Sequence, residues 1–223
     1  MASSVLQHVN CYTTSCSFGA NVTAGSTIIV MVSQNGNASS ILAADTLLNT
    51  FNSSANMQVF TPTAQVTGMK IFYANIASGG ADTVTLSGTG TDPGMAITEV
   101  SGLVTSNTVD AAIGTDTSGQ TPPTSSNLVT SQTDFIYAAI ASEVAAVTES
   151  AGTGYILLGQ TASHTDAEEY ASGKAAGTYN PTFTATPQGG SVMMSVAFKE
   201  SGATPPPIPG NSTQFLQLMG IGT

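Results

Sequence analysis

The hydrophobic positions of this chain recur mostly with a period of two, which is the period of a β-strand. The alternation is clearest in residues 69–76, where Met69, Ile71 and Tyr73 face one side of the predicted strand and Lys70 and Phe72 face the other. Residues 26–33 are apolar almost without interruption, which is expected of a central strand that is buried on both faces.

Nine strands are predicted from such patterns, at residues 26–33, 69–76, 82–87, 95–101, 134–141, 155–160, 166–171, 179–185 and 191–199. Ser-Gly-Gly at 78–80 predicts a hairpin turn before the third of them. Residues 114–126 and 144–151 are interpreted as loops. Short strands separated by Gly, Asn, Pro and Ser predict an all-β fold: an antiparallel β-sandwich of the jelly-roll or immunoglobulin-like type. Residues 1–200 form its one domain, with residues 1–24 as an N-terminal strand or arm.

Residues 201–223 differ in pattern from the rest of the chain. A proline-rich spacer, which cannot join a sheet and favours an extended form, leads to a short apolar segment. This segment is either folded back on its own domain or anchored to a neighbouring subunit, and we adopt anchoring as the hypothesis. Its docking residues are Phe215, Leu216, Leu218, Met219 and Ile221.

The charge of the chain excludes several classes of partner. Asp, Glu, Lys and Arg make up 7% of the residues, and the formal net charge is −10. Phosphate binding needs clustered basic side chains, so we expect no nucleic-acid partner, and an anionic membrane surface is disfavoured for the same reason. No apolar stretch is long enough for a transmembrane helix. Residues 1–10 lack the features of a signal peptide, so we expect no Sec export.

The two cysteines, Cys11 and Cys16, lack the second pair that a structural zinc site would need. They either form a disulfide in the N-terminal segment or remain two reduced, buried thiols. His164, Asp166 and Glu168 alternate and would share one face of a strand, where they could bind a divalent ion. The simpler interpretation, a polar and solvent-facing side of an edge strand, is preferred. We therefore predict no metal and no cofactor.

The sequence gives little support to an enzymatic function. Glu99, Glu143 and Glu149 are available for the carboxylate pair of a glycosidase, but the chain has no tryptophan with which to build a sugar-stacking cleft. No Gly-x-Ser-x-Gly elbow or glycine-rich phosphate loop occurs. We expect no catalytic residues, and a protein that is not an enzyme.

Several segments have recognisable strand and turn motifs. They are an apolar strand after a small-residue turn (24–32), Phe-Tyr-Ala followed by Gly and Thr-Val-Thr (72–85), Glu-Val-Ser-Gly (99–102), Ala-Gly-Thr-Tyr (176–179) and Val-Ala-Phe-Lys (196–199). In these segments the chain resembles a loosely defined family of β-sandwich modules of phage virion proteins (decoration, cement and fibre components) and bacterial surface proteins. One turn typical of the family is replaced at 44–51. The resemblance implies a sandwich scaffold and no catalytic residues.

Together these features predict a virion structural protein, specifically a capsid decoration or cement protein. It would dock through its sheet edges and C-terminal tail on the major capsid protein or on sister virion subunits, and would form a homo-oligomer. Its expected location is the virion, assembled in the host cytoplasm and acting outside the cell. The alternative is a receptor- or carbohydrate-binding module of a tail fibre or cell-surface adhesin.

Overall fold

The computed structural model describes residues 3–60, 67–120, 122–142, 148–160, 165–186 and 191–202. In these ranges the chain forms seventeen β-strands and two short 3-10 helices, Ala38–Ser40 and Ala55–Met57, and no α-helix. All strand pairs within the sheets are antiparallel. The prediction of an all-β, antiparallel sandwich is confirmed.

The first half of the chain contains eight strands: β1 (Ser4–Cys11), β2 (Ser15–Ser17), β3 (Thr27–Asn35), β4 (Leu42–Asp45), β5 (Gln58–Phe60), β6 (Thr67–Asn75), β7 (Thr83–Ser87) and β8 (Thr91–Ser101). They form a large sheet of order β1-β8-β3-β6-β5 and a small sheet of order β2-β7-β4. These two sheets make up the first sandwich.

The second half contains nine strands: β9 (Val109–Asp116), β10 (Leu128–Thr130), β11 (Asp134–Ser142), β12 (Thr148–Ala151), β13 (Ile156–Gln160), β14 (Thr165–Lys174), β15 (Gly177–Tyr179), β16 (Phe183–Thr186) and β17 (Ser191–Lys199). They form a large sheet of order β13-β14-β11-β17-β9 and two ribbons, β10-β15 and β12-β16. These make up the second sandwich.

Both sandwiches repeat one pattern of strand pairing. In the first, the first strand pairs with the last (β1 with β8), the second with the second to last (β2 with β7), and the third with the third to last (β3 with β6). The second sandwich has the corresponding pairs β9 with β17, β10 with β15, and β11 with β14, if β15 and the next strand, β16, are counted as one interrupted strand. Such nested antiparallel pairs are the pairing of a jelly roll.

The two large sheets pack face to face. Ile29, Met31 and Ile71 of the first sheet share one apolar cluster with Tyr137 and Val196 of the second. Edge strand β1 lies over β13, and edge strand β5 lies over β9. Since β1 and β9 are equivalent strands, as are β5 and β13, the two sandwiches are related by an approximate two-fold axis.

The outer face of each large sheet is covered by its small sheet or ribbons. In the first sandwich, Val30 and Phe72 pack with Val84 of the small sheet. In the second, Ile140 packs with Phe183 of one ribbon, and Ile136 with Leu128 of the other. The molecule is therefore a four-layer stack in which both faces of each large sheet are buried, which explains the nearly continuous apolar runs of strands such as β3.

Most predicted strands are confirmed within a few residues, namely those at 26–33, 69–76, 82–87, 95–101, 134–141, 155–160, 166–171 and 191–199. The predicted faces of residues 69–72 are confirmed as well, since Met69 and Ile71 lie between the large sheets and Phe72 lies on the opposite face. The predicted N-terminal strand is β1.

Four local predictions are wrong. The loop at 144–151 contains β12, and the connection at 114–126 begins inside β9. The Ser-Gly-Gly turn does not form a hairpin, because β7 crosses to the small sheet and pairs with β2 and β4. The strand at 179–185 is split into β15 and β16 around Pro181, which has no N–H to donate to a ladder.

Candidate functional site

The five predicted docking residues of the tail, Phe215, Leu216, Leu218, Met219 and Ile221, lie outside the described residues, as does His164. The described chain ends at Gly202. Three features of the described part are candidates for function: a group of buried carboxylates in the second sandwich, an exposed apolar stretch on two neighbouring edge strands, and a small depression.

Cys11 and Cys16 are joined by a disulfide, with their Cα atoms 5.8 Å apart. Cys11 ends β1 and Cys16 lies in β2, so the bond ties the edge of the large sheet to the small sheet that covers it. Of the two alternatives left open by the sequence, the structure contains the disulfide. Disulfides persist in oxidising surroundings, such as those outside the cell.

Asp166 and Glu168 of β14 do share one face, as their spacing predicts, but this face is not exposed to solvent. Strand β14 lies between β13 and β11, so it is not an edge strand. Asp166 is 4% exposed and Glu168 is fully buried. The preferred interpretation of a solvent-facing polar side is therefore wrong, because this face packs against the first sandwich.

Both carboxylates meet polar groups of the first sandwich. Ser33 Oγ of β3 donates a 2.6 Å hydrogen bond to Asp166 Oδ2. His8 Nε2 of β1 lies 3.5 Å from Glu168 Oε2, while His8 Nδ1 is 2.9 Å from Thr98 Oγ1. The approach is tight, since a Cβ on Gly159 of β13 would lie 2.8 Å from His8 Nε2. Polar contacts thus cross between the sandwiches at this end of the stack.

Glu149 of β12 completes what we call the acidic cluster, which consists of Glu149, Asp166 and Glu168. Glu149 is 2% exposed, and neither of its carboxylate oxygens has a hydrogen-bond partner among the described residues. Burial raises its pKa to about 9, with further contributions from the charges of Asp166 and Glu168. Burial also raises the pKa of Asp166 to about 7, although the Ser33 hydrogen bond opposes this.

A fourth buried carboxylate, Glu169, behaves similarly. It follows Glu168 in β14 and therefore points to the opposite face of the sheet. Gly152 N donates a 2.7 Å hydrogen bond to Glu169 Oε2, yet burial raises its pKa to about 7. Several acids of the second sandwich are thus protonated to a large extent near neutral pH.

The chemistry open to the acidic cluster is limited by its burial. Within the described ranges, no group of three or more His, Cys, Asp and Glu side chains has the geometry to hold a metal ion. A sugar chain cannot reach carboxylates that are at most 4% exposed. The candidates for a glycosidase pair also lie apart, with Glu99 in the first sandwich and Glu149 in the second, while Glu143 is outside the described residues.

The second candidate feature is the apolar edge, which we define as Leu6 of β1 with Ile156 and Leu157 of β13. Their side chains are 46%, 58% and 38% exposed. Neither β1 nor β13 contains Asp, Glu, Lys or Arg, which are the residues that usually discourage edge-to-edge pairing. The run Ile-Leu-Leu at 156–158 was the available signal in the sequence, because alternate residues of a strand cannot all face one core.

The register across the sandwiches places Leu6 and Ile156 of the apolar edge together. Ser3 Oγ and Gly173 N both donate to Glu200 Oε1, at 2.5 and 2.8 Å, while His8 faces Glu168. Strand β1 therefore runs antiparallel to β14 across the interface, and Leu6 lies level with Tyr170. Because Tyr170 pairs with Ile156, Leu6 and Ile156 lie at the same height on one side of the molecule.

A shallow depression on the opposite side is a third, smaller feature. It is lined by polar side chains of Asn37, Ser39 and Gln58 and by Phe60, whose ring is 42% exposed. Amide groups beside an exposed aromatic ring offer both hydrogen bonding and a stacking surface to a small polar ligand.

No family model, curated protein or solved structure matches this chain. In the described part of the chain, no helix has the length and apolar character needed to cross a lipid bilayer.

Proposed function

We propose that this chain is a non-catalytic structural protein of a virion, a capsid decoration or cement protein that docks on neighbouring subunits. The observation that carries the proposal is the apolar edge, because an open strand edge without charged side chains is a template for pairing with another chain. The resemblance to virion sandwich modules supports the choice of particle. The partners would be the major capsid protein or sister subunits, in a homo-oligomer.

The disulfide and the low charge agree with this proposal. A protein that is assembled in the cytoplasm and then acts outside the cell meets an oxidising environment, in which the Cys11–Cys16 bond would persist. A chain with three lysines and no arginine, in which Lys70 is buried, is unsuited to a nucleic-acid or membrane partner, which leaves protein as the expected partner.

The test is the copy number of this protein in purified particles from its source, measured by quantitative mass spectrometry against a labelled standard. We expect hundreds of copies per particle. A handful of copies would move the protein to a tail or fibre, and its absence from particles would overturn the proposal.

The second candidate function is a receptor- or carbohydrate-binding module, and the depression beside Phe60 favours it. A glycan would stack on the Phe60 ring and hydrogen-bond to Asn37 and Gln58. Purified protein would then bind host cells or a glycan array, and Phe60→Ala would abolish the binding. Val129→Ala is the control, since Val129 is an exposed apolar residue that does not line the depression.

A further inference from the structure

We propose that the apolar edge is the acceptor for the C-terminal segment, residues 215–221, of a second copy of this chain, which adds to β13 as a further strand. This inference rests on the proposed function, because it names the surface through which sister subunits would bind each other. Strand addition supplies main-chain hydrogen bonds, and alternate side chains of the added strand supply the apolar contacts.

The first argument is that β13 has a free edge. In the described part of the chain its only strand partner is β14. Ile156 and Leu157 next to this edge are exposed, and Leu6 extends the apolar surface onto β1. A strand added at this edge would pair with the backbone of β13 and would lie beside Ile156 and Leu157.

The second argument is complementarity of charge. The chain carries a net charge of −10, so two copies repel each other over most of their surface. Residues 201–223 contain no Asp, Glu, Lys or Arg, and neither does β13. Docking of the tail on this edge therefore brings together two uncharged, apolar segments and avoids the general repulsion.

The third argument is where the described chain ends. Glu200 is bonded to Ser3, at the start of β1, and Ser201 N donates to Gly102 O at 2.7 Å. Glu200, near the end of the described chain, thus lies about 10 Å along β1 from Leu6, at 3.3 Å per residue. The sequence of residues 203–213 contains Pro205, Pro206, Pro207 and Pro209, a composition that favours an extended form, and eleven extended residues would span roughly 30 Å.

An extended spacer of this length would exceed the distance of about 10 Å to Leu6 of its own molecule, which favours docking on a neighbouring copy. The contact is heterologous, since a tail on one copy meets an edge on the next. Repeated contacts of this kind close into a ring or continue as a chain of subunits.

The experiment measures self-association of the full chain by sedimentation velocity over a dilution series up to about 100 µM, well above the micromolar Kd expected for a small interface. Wild type should associate, and Ile156→Lys should weaken association at least about tenfold because it places an unpaired charge at the added strand. Val129→Lys is the matched control, because Val129 is 65% exposed on another sheet, and it should associate like wild type.

A mixing experiment tests whether the contact is between copies. Leu218→Lys disrupts the tail while leaving the edge intact, so it should not associate alone. An equimolar mixture of Leu218→Lys and Ile156→Lys should form one-to-one dimers, since the intact tail of the second meets the intact edge of the first. Near-UV circular dichroism checks the fold of each variant. If Ile156→Lys is misfolded, Leu6→Lys replaces it as the variant with a disrupted edge.

The inference is overturned if wild type stays monomeric at the highest concentration, or if Ile156→Lys associates as strongly as Val129→Lys. It is also overturned if the mixture yields no dimers. These results leave the proposed function standing when wild type is still found in particles, whereas absence from particles defeats the proposed function whatever the edge variants do.

Discussion

In the first sandwich the buried Glu99 accepts three hydrogen bonds, whereas in the second the buried Glu149 accepts none from the described residues. Thr23 N, Ser26 Oγ and Gln7 Nε2 donate to Glu99 at 2.7, 2.6 and 2.7 Å. Both side chains are at most 2% exposed. Two equally buried glutamates thus differ in their surroundings. Glu99 of the first sandwich has hydrogen-bond donors, and Glu149 of the second has none among the described residues.

This difference shows that burial alone does not determine the protonation state of a carboxyl group. Three donors replace the hydration that the carboxyl group of Glu99 loses on burial. Without donors, and beside Asp166 and Glu168, the neutral form of Glu149 is favoured, and its pKa rises to about 9. The two sandwiches share a strand pairing but should respond differently to pH.

The largest expected effect is a loss of stability as pH rises. Asp166 and Glu169, with a pKa of about 7, and Glu149, with a pKa of about 9, bind protons more tightly in the folded than in the unfolded chain. Their stabilising contribution is complete below the unfolded pKa near 4, and it is lost progressively as pH rises from there to the folded pKa of about 7 for Asp166 and Glu169 and of about 9 for Glu149. We expect Tm to fall by about 10 °C or more between about pH 5.5 and about pH 9.

Differential scanning calorimetry at fixed, moderately high salt is the measurement, because salt screens the general repulsion of a chain with net charge −10. A Tm that stays constant or rises over this range would contradict the assignment of protonated acids to the second sandwich.

The second largest expected effect is the loss of stability caused by Glu99→Gln. The glutamine amide keeps the shape of the side chain but loses the charge, and its NH2 group faces donors. We expect the free energy of unfolding to drop by roughly 3 kcal/mol, since hydrogen bonds to a charged group are worth about 1.5–3 kcal/mol each and some are retained. Urea unfolding at neutral pH measures this. A drop below about 1 kcal/mol would show that the three donors contribute little.

The same substitution in the other sandwich, Glu149→Gln, should have the opposite sign at high pH. Glutamine stays neutral at every pH, so the variant has no proton to release on the folded side of the equilibrium. We expect its Tm to exceed that of wild type by at least about 5 °C near pH 9 and to approach it near pH 4. An equal difference in Tm between the variant and wild type at both pH values would mean that packing, and not protonation, causes the difference.

The sequence predicted most strands because each signal lies within a few residues. The alternation of Met69 to Phe72 and the apolar run at 26–33 report locally which faces are buried. Local signals do not predict which strands pair, because the partner of a strand can lie almost a hundred residues away, as β8 does from β1. The jelly-roll nesting, the second copy of it and the crossing of β7 to another sheet were therefore not predictable from local pattern.

The candidate sites, too, were predictable only as far as local sequence signals reach. Period two correctly put Asp166 and Glu168 on one face, but it carries no information on whether that face meets water or another sheet. His8 and Ser33, which face them from the first sandwich, are distant in sequence and carry no local signal. Pro181, in contrast, marked the break between β15 and β16 in the sequence itself.

The smallest expected effect tests whether the two sandwiches are equivalent where they resemble each other. Each closes its last strand with Ser-Gly, at 101–102 and 201–202, and Gly102 and Gly202 have φ angles of 80° and 85°. A side chain in this left-handed region costs roughly 1 kcal/mol, so Gly102→Ala and Gly202→Ala should each lower Tm by about 2–4 °C. Gly19→Ala, at a glycine without positive φ and with open space around it, is the control and should leave Tm unchanged. A cost at Gly102 alone would mean that the second turn is not held in place by the fold, and that the equivalence of the two sandwiches ends before the C-terminal tail begins.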